Sequence, residues 1–236
     1  MTLQATKTVR EIAVEMPAAT RLFEKLGIDY CCGGGRPLTE ACASMGLEVE
    51  QVVASLEQIG ETKLTDARDW RAASLNDLIT HINDTHHVFT REELDRIEPL
   101  LAKVSRVYGE RRPELPRLEA IFLELKRELL LHLVKEEQVL FPYVRQLEVA
   151  GDNKGARPAS CFGTVQNPVR MMVMEHDAAG DMLKQLRELS NDFTPPADAC
   201  VSYQTLYHAL EGLEQDLHQH IHLENNILFP RASELE

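Results

Sequence analysis

The chain has 236 residues, a formal net charge of −13 and a mean hydropathy of −0.26. That length holds one helical domain of ordinary size and a small second one. The acidic balance opposes nucleic-acid binding, which needs a basic patch to displace counterions from phosphates, and leaves protein partners and metal cations as the expected company. No apolar run approaches the roughly 18 residues of a membrane span, and Met1 to Pro17 lack the apolar segment of a secretory signal, so no membrane role and a cytoplasmic location are expected. Five cysteines, an odd number unevenly spread, read as free thiols in a reducing compartment rather than a disulfide framework.

Residues 1–60 read as a small helical domain. Pro17 can open a helix and Gly27 can close it. The loop Gly27-Ile28-Asp29-Tyr30-Cys31-Cys32-Gly33-Gly34-Gly35-Arg36-Pro37 follows, then amphipathic helices around Leu38 to Met45 and Val49 to Ile59. The vicinal pair Cys31-Cys32 lies among glycines ahead of a helix N-terminus, whose partial positive charge is expected to favour thiolate; it is a candidate for handling metal, reacting with oxidants or being nitrosylated. Cys42, Cys161 and Cys200 stand alone and read as structural.

Residues 61–73 are charged, have no apolar period and read as a linker. Residues 74–236 read as a helical bundle. Ser74 followed by Asp77 resembles a capping box opening a long helix. That helix carries His81, His86 and His87, and periodicity alone does not choose among them.

An internal repeat does. His132-Leu133-Val134-Lys135-Glu136, with Leu140-Phe141-Pro142 after three more residues, recurs as His220-Ile221-His222-Leu223-Glu224 with Leu228-Phe229-Pro230. Both are H-x3-E-x3-L-F-P, and the i, i+4 spacing puts imidazole and carboxylate on one helix face. They fall on apolar seams, Leu118, Phe122, Leu125, Leu129, His132, Glu136, Val139, Tyr143 in the first copy and Leu206, Leu210, Leu213, Leu217, His220, Glu224, Ile227 in the second. A carboxylate in a core position costs several kcal/mol unless it is paired or binds metal. Measured from His87, Leu94, Ile97 and Leu100 recur at the offsets of Leu183, Leu186 and Leu189 from His176, so His87 and His176 are repeat mates. His86 misses this register by one residue. His81, His208, His218 and His222 lie off the seam.

The expected fold is therefore all-α, an antiparallel four-helix bundle with helices near 75–107, 116–147, 168–191 and 200–228, preceded by the small helical domain. The connection 149–167 is long and rich in Gly, Asp and Asn, and mobility is expected there. Folding the two hairpins together brings His87, His132, Glu136, His176, His220 and Glu224 to one level. Four imidazoles and two carboxylates exceed a closed tetrahedral zinc site and suit two metals, each held by two histidines, with the carboxylates bridging. Nitrogen and oxygen donors with open positions favour iron, with manganese or zinc as substitutes. Glu128, one turn before His132, and Glu175, next to His176, are candidates to orient imidazoles and guide ions.

The segments "HLVKEEQVLFP", "MEHD" and "HIHLENNILFP" resemble the hemerythrin-like bundle of the repair-of-iron-centres family, and "GIDYCCGGGRPLTEAC" is similar to that family's short cysteine domain. The resemblance covers nearly the whole chain. It implies two iron ions in an oxo- and carboxylate-bridged di-iron centre on the six side chains named. It also places Cys31 and Cys32 at the family's cysteine pair, where they would relay iron. His86 stands where members commonly have an aromatic residue, which leaves the choice between His86 and His87 open. The implied function is restoration of iron–sulfur clusters damaged by nitrosative or oxidative stress, by donating iron to cluster apoproteins, with no catalytic residue assigned. A hemerythrin-like carrier or sensor of O₂ or NO and an NO-reducing di-iron enzyme are the alternatives. A homodimer is a further expectation.

Overall fold

The computed structural model describes residues 6–61, 69–152 and 158–236. The small domain is built from α1 (Val9–Glu15), α2 (Ala19–Leu26), α3 (Leu38–Ser44) and α4 (Val49–Glu61). A reciprocal cap starts α1: Thr8 Oγ1 accepts from the Glu11 N–H at 3.2 Å, and the Glu11 carboxylate accepts the Thr8 N–H at 2.8 Å. Gly27, at φ 67°, ends α2 in the left-handed conformation that a side chain would resist. Ile12, Phe23, Leu38 and Leu56 form the apolar centre of this domain. Most of the expected linker, residues 62–68, lies outside the described residues.

The bundle follows as long rods, three of them interrupted by a single π-helical stretch. The first runs through α5 (Leu75–His81), π1 (Ile82–His87) and α6 (Val88–Tyr108). The second runs through α7 (Glu114–Lys135), π2 (Glu136–Leu140) and α8 (Phe141–Asp152); the third is α9 (Gln166–Leu189); the fourth is α10 (Val201–Leu223), π3 (Glu224–Leu228) and α11 (Phe229–Glu234). Ser74 caps the first rod with one hydrogen bond, from the Asp77 N–H at 3.0 Å, and the remaining orphan amides of Leu75 and Asn76 are taken by the carboxylate of Glu148, at 2.5 and 2.9 Å. Around the bundle the order is first rod, second, third, fourth, each antiparallel to its neighbours: His87 meets Glu137 while Leu94 meets Lys126, and Arg187 meets Glu214 while His176 meets Asn225.

The π stretches have a local cause in two of the three rods. Pro142 and Pro230 lack the N–H an α-helix needs and clash with the carbonyl one turn back, so the backbone rewinds immediately before each Phe-Pro. The extra residue corrects the expected seam. Val139 was placed on it and is 44 % exposed, while Leu140 takes the core position at 1 %.

The bundle core divides into two apolar layers. One contains Leu94, Ile97, Phe122, Leu125, Leu183 and Leu213, and the other Leu78, Ile79, Leu140, Phe141, Leu228 and Phe229. Along every rod the polar core residues fall between them. Among the described residues no helix is long and apolar enough to cross a membrane.

Candidate metal centre

His87, His132, Glu136, His176, His220 and Glu224 come together in the layer between the two apolar cores, each at most 3 % exposed. Two four-residue groups can each surround an ion: His87, Glu136, His220, Glu224 and His132, Glu136, His176, Glu224. The carboxylates belong to both. Glu136 Oε2 lies 3.4 Å from His87 Nε2 and its Oε1 lies 3.2 Å from His132 Nε2. Glu224 repeats this, with Oε2 3.2 Å from His176 Nε2 and Oε1 3.2 Å from His220 Nε2. The imidazoles pair across the bundle as well, His87 Nε2 to His220 Nε2 at 3.2 Å and His132 Nε2 to His176 Nε2 at 3.0 Å.

All four carboxylate oxygens are buried without a hydrogen bond. An uncompensated buried carboxylate is costly, and two side by side more so. In the metal-free protein the compensation comes from protons: against the effect of burial, Glu136 and neighbouring carboxylates push the His132 pKa up to about 10, and Glu224 raises that of His220. The facing histidines in turn hold Glu136 below, and Glu224 well below, the usual carboxylate range, again against burial. Four convergent Nε2 atoms around two shared carboxylates fit a pair of cations, which would replace those protons. The all-nitrogen and oxygen donor set suits iron.

The outer ring nitrogens fix the imidazoles. A carboxylate can only accept, so His132 Nδ1 donates to Glu175 Oε2 at 2.8 Å and His87 Nδ1 donates to Glu137 Oε1 at 2.8 Å, which turns each Nε2 toward the centre, where in its neutral form its lone pair can hold a cation. His176 Nδ1 pairs with Asn225 Oδ1 at 2.9 Å. Lys135 holds the other oxygen of Glu175, and the His132 hydrogen bond is the main reason the Glu175 pKa falls to about 2. Of the two orienting carboxylates expected from sequence, Glu175 does this and Glu128 does not: it is about half exposed and pairs with Arg127. The residues missed, Glu137 and Asn225, each directly follow the Glu of an H-x3-E phrase, and that shared place in the repeat was the available signal. The Phe of each L-F-P has a role too, Phe141 stacking on His87 at 5.7 Å and Phe229 on His176 at 6.0 Å.

His86 joins neither group: it lies behind His220, with Nδ1 on Asp216 Oδ1 at 2.9 Å. His81 stacks on Trp70, His208 is exposed, His218 meets Glu24 and His222 meets Asn226; none joins either group. A cavity of about 460 Å³ opens onto His132, His176 and His220, with an apolar wall that includes Leu129, Met182 and Leu217 and with Glu124, Glu128 and Asp181 also lining it.

The cysteine loop packs on the bundle beside this centre. Cys32 Sγ rests 3.7 Å from the carbonyl oxygen of His176, and Cys31 Sγ is 3.8 Å from Cys32 Sγ. The loop is tied rather than loose: Asp29 accepts the N–H groups of Cys31, Cys32 and Gly33 at 3.0, 3.1 and 2.9 Å. Gly34 is required by close approach, since a Cβ there would lie 2.5 Å from the Tyr30 carbonyl oxygen. This corrects the thiolate expectation. Cys31 is buried, and the hydrogen bond to Cys32, burial and the Asp29 charge push its thiol well above the ordinary value. Cys42 is in the small domain's core, whereas Cys161 and Cys200, expected to be structural, are exposed because they lie in connections between rods.

Residues 78–232 match the family described as the Hemerythrin HHE cation binding domain, and residues 5–60 match a second, ScdA_N, described as a domain of unknown function (DUF542). The chain is 38 % identical over 223 residues to a protein of Citrobacter koseri named iron-sulfur cluster repair protein YtfE, with 94 % of each chain covered. Proteins of the same name from Escherichia coli O17:K52:H18 and Shigella boydii serotype 4 are each 37 % identical over the same share. With both domain matches in order, a shared-carboxylate cation centre in the bundle and identity along almost its whole length, the chain belongs to the hemerythrin HHE cation-binding family, among its iron–sulfur cluster repair proteins.

Proposed function

We propose that this protein binds two iron ions on His87, His132, Glu136, His176, His220 and Glu224 and donates iron to iron–sulfur cluster apoproteins in the cytoplasm, restoring clusters damaged by nitrosative or oxidative stress. The observation that carries the reading is the juxtaposition of a thiol pair with a two-cation centre, Cys32 Sγ lying 3.7 Å from the backbone of the His176 ligand. When bound, the iron pair supplies exchangeable ferrous ions with positions open to a competing ligand. The chain supplies the rest. Glu136 and Glu224 offer one oxygen to each side and would be shared by the two ions. Glu175, Glu137 and Asn225 keep three imidazoles turned inward. His132 carries a proton in the metal-free protein and gives it up on loading. Phe141 and Phe229 stack on two of the imidazoles and hold their ring planes. Cys32, half-buried at the bundle surface, is on this reading the thiol that would receive departing iron, with the buried Cys31 behind it. A tethered thiol pair competes at high effective concentration.

The cavity that opens onto His132, His176 and His220 supports a second reading, reversible binding of O₂ or NO at the same centre. The two separate in one assay: anaerobic transfer of iron to an apo cluster protein from equally loaded wild type and Cys31→Ala/Cys32→Ala. Donation through the thiols predicts slower cluster formation in the variant. Equal rates would remove the cysteines from the transfer path and leave the gas-binding reading in front.

A further inference from the structure

The two halves of the centre are not equivalent. Three of the four imidazoles have an acceptor at Nδ1: His132 has Glu175, His87 has Glu137 and His176 has Asn225. His220 has none. Its Nδ1 is buried and meets no hydrogen-bonding protein atom, although the ring itself is 1 % exposed.

The internal repeat shows how this arises. Glu175 immediately precedes His176 and reaches His132 across the bundle. The residue in the same place before His87 is His86, which faces His220 across the other half. So where one half has a carboxylate the other has an imidazole. His86 lies parallel to His220, ring centroids 5.8 Å apart at 10°, a face-to-face contact that offers no lone pair to Nδ1. Asp216, one turn before His220 and the repeat mate of Glu128, has its Oδ1 engaged by His86 at 2.9 Å, and its Oδ2, though buried and free of a partner, makes no hydrogen bond to His220 Nδ1.

An acceptor on the outer ring nitrogen fixes a ligating imidazole and strengthens it as a donor, and losing one typically lowers metal affinity 10–100-fold. His132 has the strongest arrangement, a carboxylate itself anchored by Lys135; His220 has the weakest. We infer that the two iron positions are held unequally, and that the ion between His87 and His220 is the one released first while the ion between His132 and His176 stays. The inference rests on the two-iron reading above and adds an order to it. The substitution of His86 for a carboxylate makes one ion exchangeable without weakening the other half, so each chain delivers one iron before it gives up the second.

The test uses full-length holoprotein loaded anaerobically with ferrous iron, its metal content counted first, then challenged with 2,2′-bipyridine. Release should show two phases of equal amplitude separated by about 10–100-fold in rate. Crystals quenched after the first phase should keep anomalous iron signal at the His132/His176 position and lose it at His87/His220. The near-isosteric Glu175→Gln should bring the slow phase toward the fast one. A single phase releasing both ions, residual iron at His87/His220, or a slow phase unmoved by Glu175→Gln would overturn the inference. A count of one iron before the challenge would overturn the two-iron reading and the release order with it, so the count tells the two failures apart.

Discussion

The side-chain amide of Asn226 donates to the carbonyl oxygen of Tyr30 at 3.1 Å, tying the π turn of the Glu224 carboxylate to the residue just before the cysteine pair. The same amide contacts His222 Nδ1 at 2.8 Å. Burial keeps that imidazole neutral, with its pKa down to about 4, so it can accept. One side chain thus serves two buried acceptors and fixes the small domain on the bundle, alongside the Tyr30 hydroxyl on Glu24 at 2.7 Å and Glu24 on His218 at 3.1 Å.

Asn226→Leu keeps the volume and strands both acceptors. An unsatisfied buried group costs about 1–3 kcal/mol, so apo-protein stability in denaturant should fall by about 2–4 kcal/mol, and alkylation of the buried Cys31 by iodoacetamide should quicken as the loop loosens. An unchanged midpoint with unchanged alkylation would mean that Asn226 does not hold the domains together.

The Glu175–His132 pair has a pH window of its own in the metal-free protein. The Glu175 pKa is depressed to about 2, so its contribution is complete above about 4.5 and is lost as pH falls toward 2. The His132 pKa is raised to about 10, so its contribution is complete below 6.5 and is lost as pH rises toward 10. The stability advantage of wild type over Glu175→Gln should therefore be complete between about pH 4.5 and 6.5, of order 2 kcal/mol, shrink as pH falls toward 2, and be lost on the alkaline side only as pH approaches 10, because Glu136 keeps His132 protonated in both proteins. Urea unfolding of both apo proteins across pH 3 to 10 measures it; a flat difference would contradict the pairing.

Glu136→Leu removes a buried carboxylate whose two oxygens have no hydrogen bond. The variant should bind fewer than two irons, and the apo bundle should be less stable than wild type at pH values below the His132 pKa of about 10, because removing Glu136 leaves the protonated imidazole it faces at 3.2 Å without that partner in a buried site. Retention of two irons would show that Glu136 is not shared, and metal analysis with thermal unfolding reads both halves of this claim.

Stability of the layer on the Leu94 side of the metal centre rests on large side chains such as Phe122, which is fully buried. Phe122→Ala should cost about 3–5 kcal/mol, seen as a lower denaturant midpoint. A loss below about 1 kcal/mol would mean the layer collapses around the cavity.

Most of the bundle was legible because its apolar period is strong and written twice. His87 and His176 followed from matching leucine offsets, and the six polar core residues from their intrusion into an apolar seam. One miss comes from the departure of the rods from a straight 3.6-residue helix. The π turn at Glu136 shifts the register by one residue, which exposes Val139 and buries Leu140, whereas after Glu224 the expected Ile227 stays buried beside Leu228. Contacts that depend on where two rods meet were not in the pattern. Glu137 and Asn225 touch imidazoles from other helices, whereas Glu128 lines the cavity and pairs with Arg127 instead of holding an imidazole. The cysteine loop was misjudged for a similar reason: Asp29 was visible two residues before Cys31, but its hold on three successive amides needs the folded turn.

The claim at the centre of this account is that six side chains hold two irons through two shared carboxylates. Iron-edge anomalous diffraction from anaerobically loaded crystals, with the metal counted in the same batch, tests it most directly. Two iron peaks between the four rods, both within bonding distance of Glu136 and Glu224, with His87 and His220 on one and His132 and His176 on the other, are predicted. One peak, or a peak ligated by any residue outside those six, would contradict it.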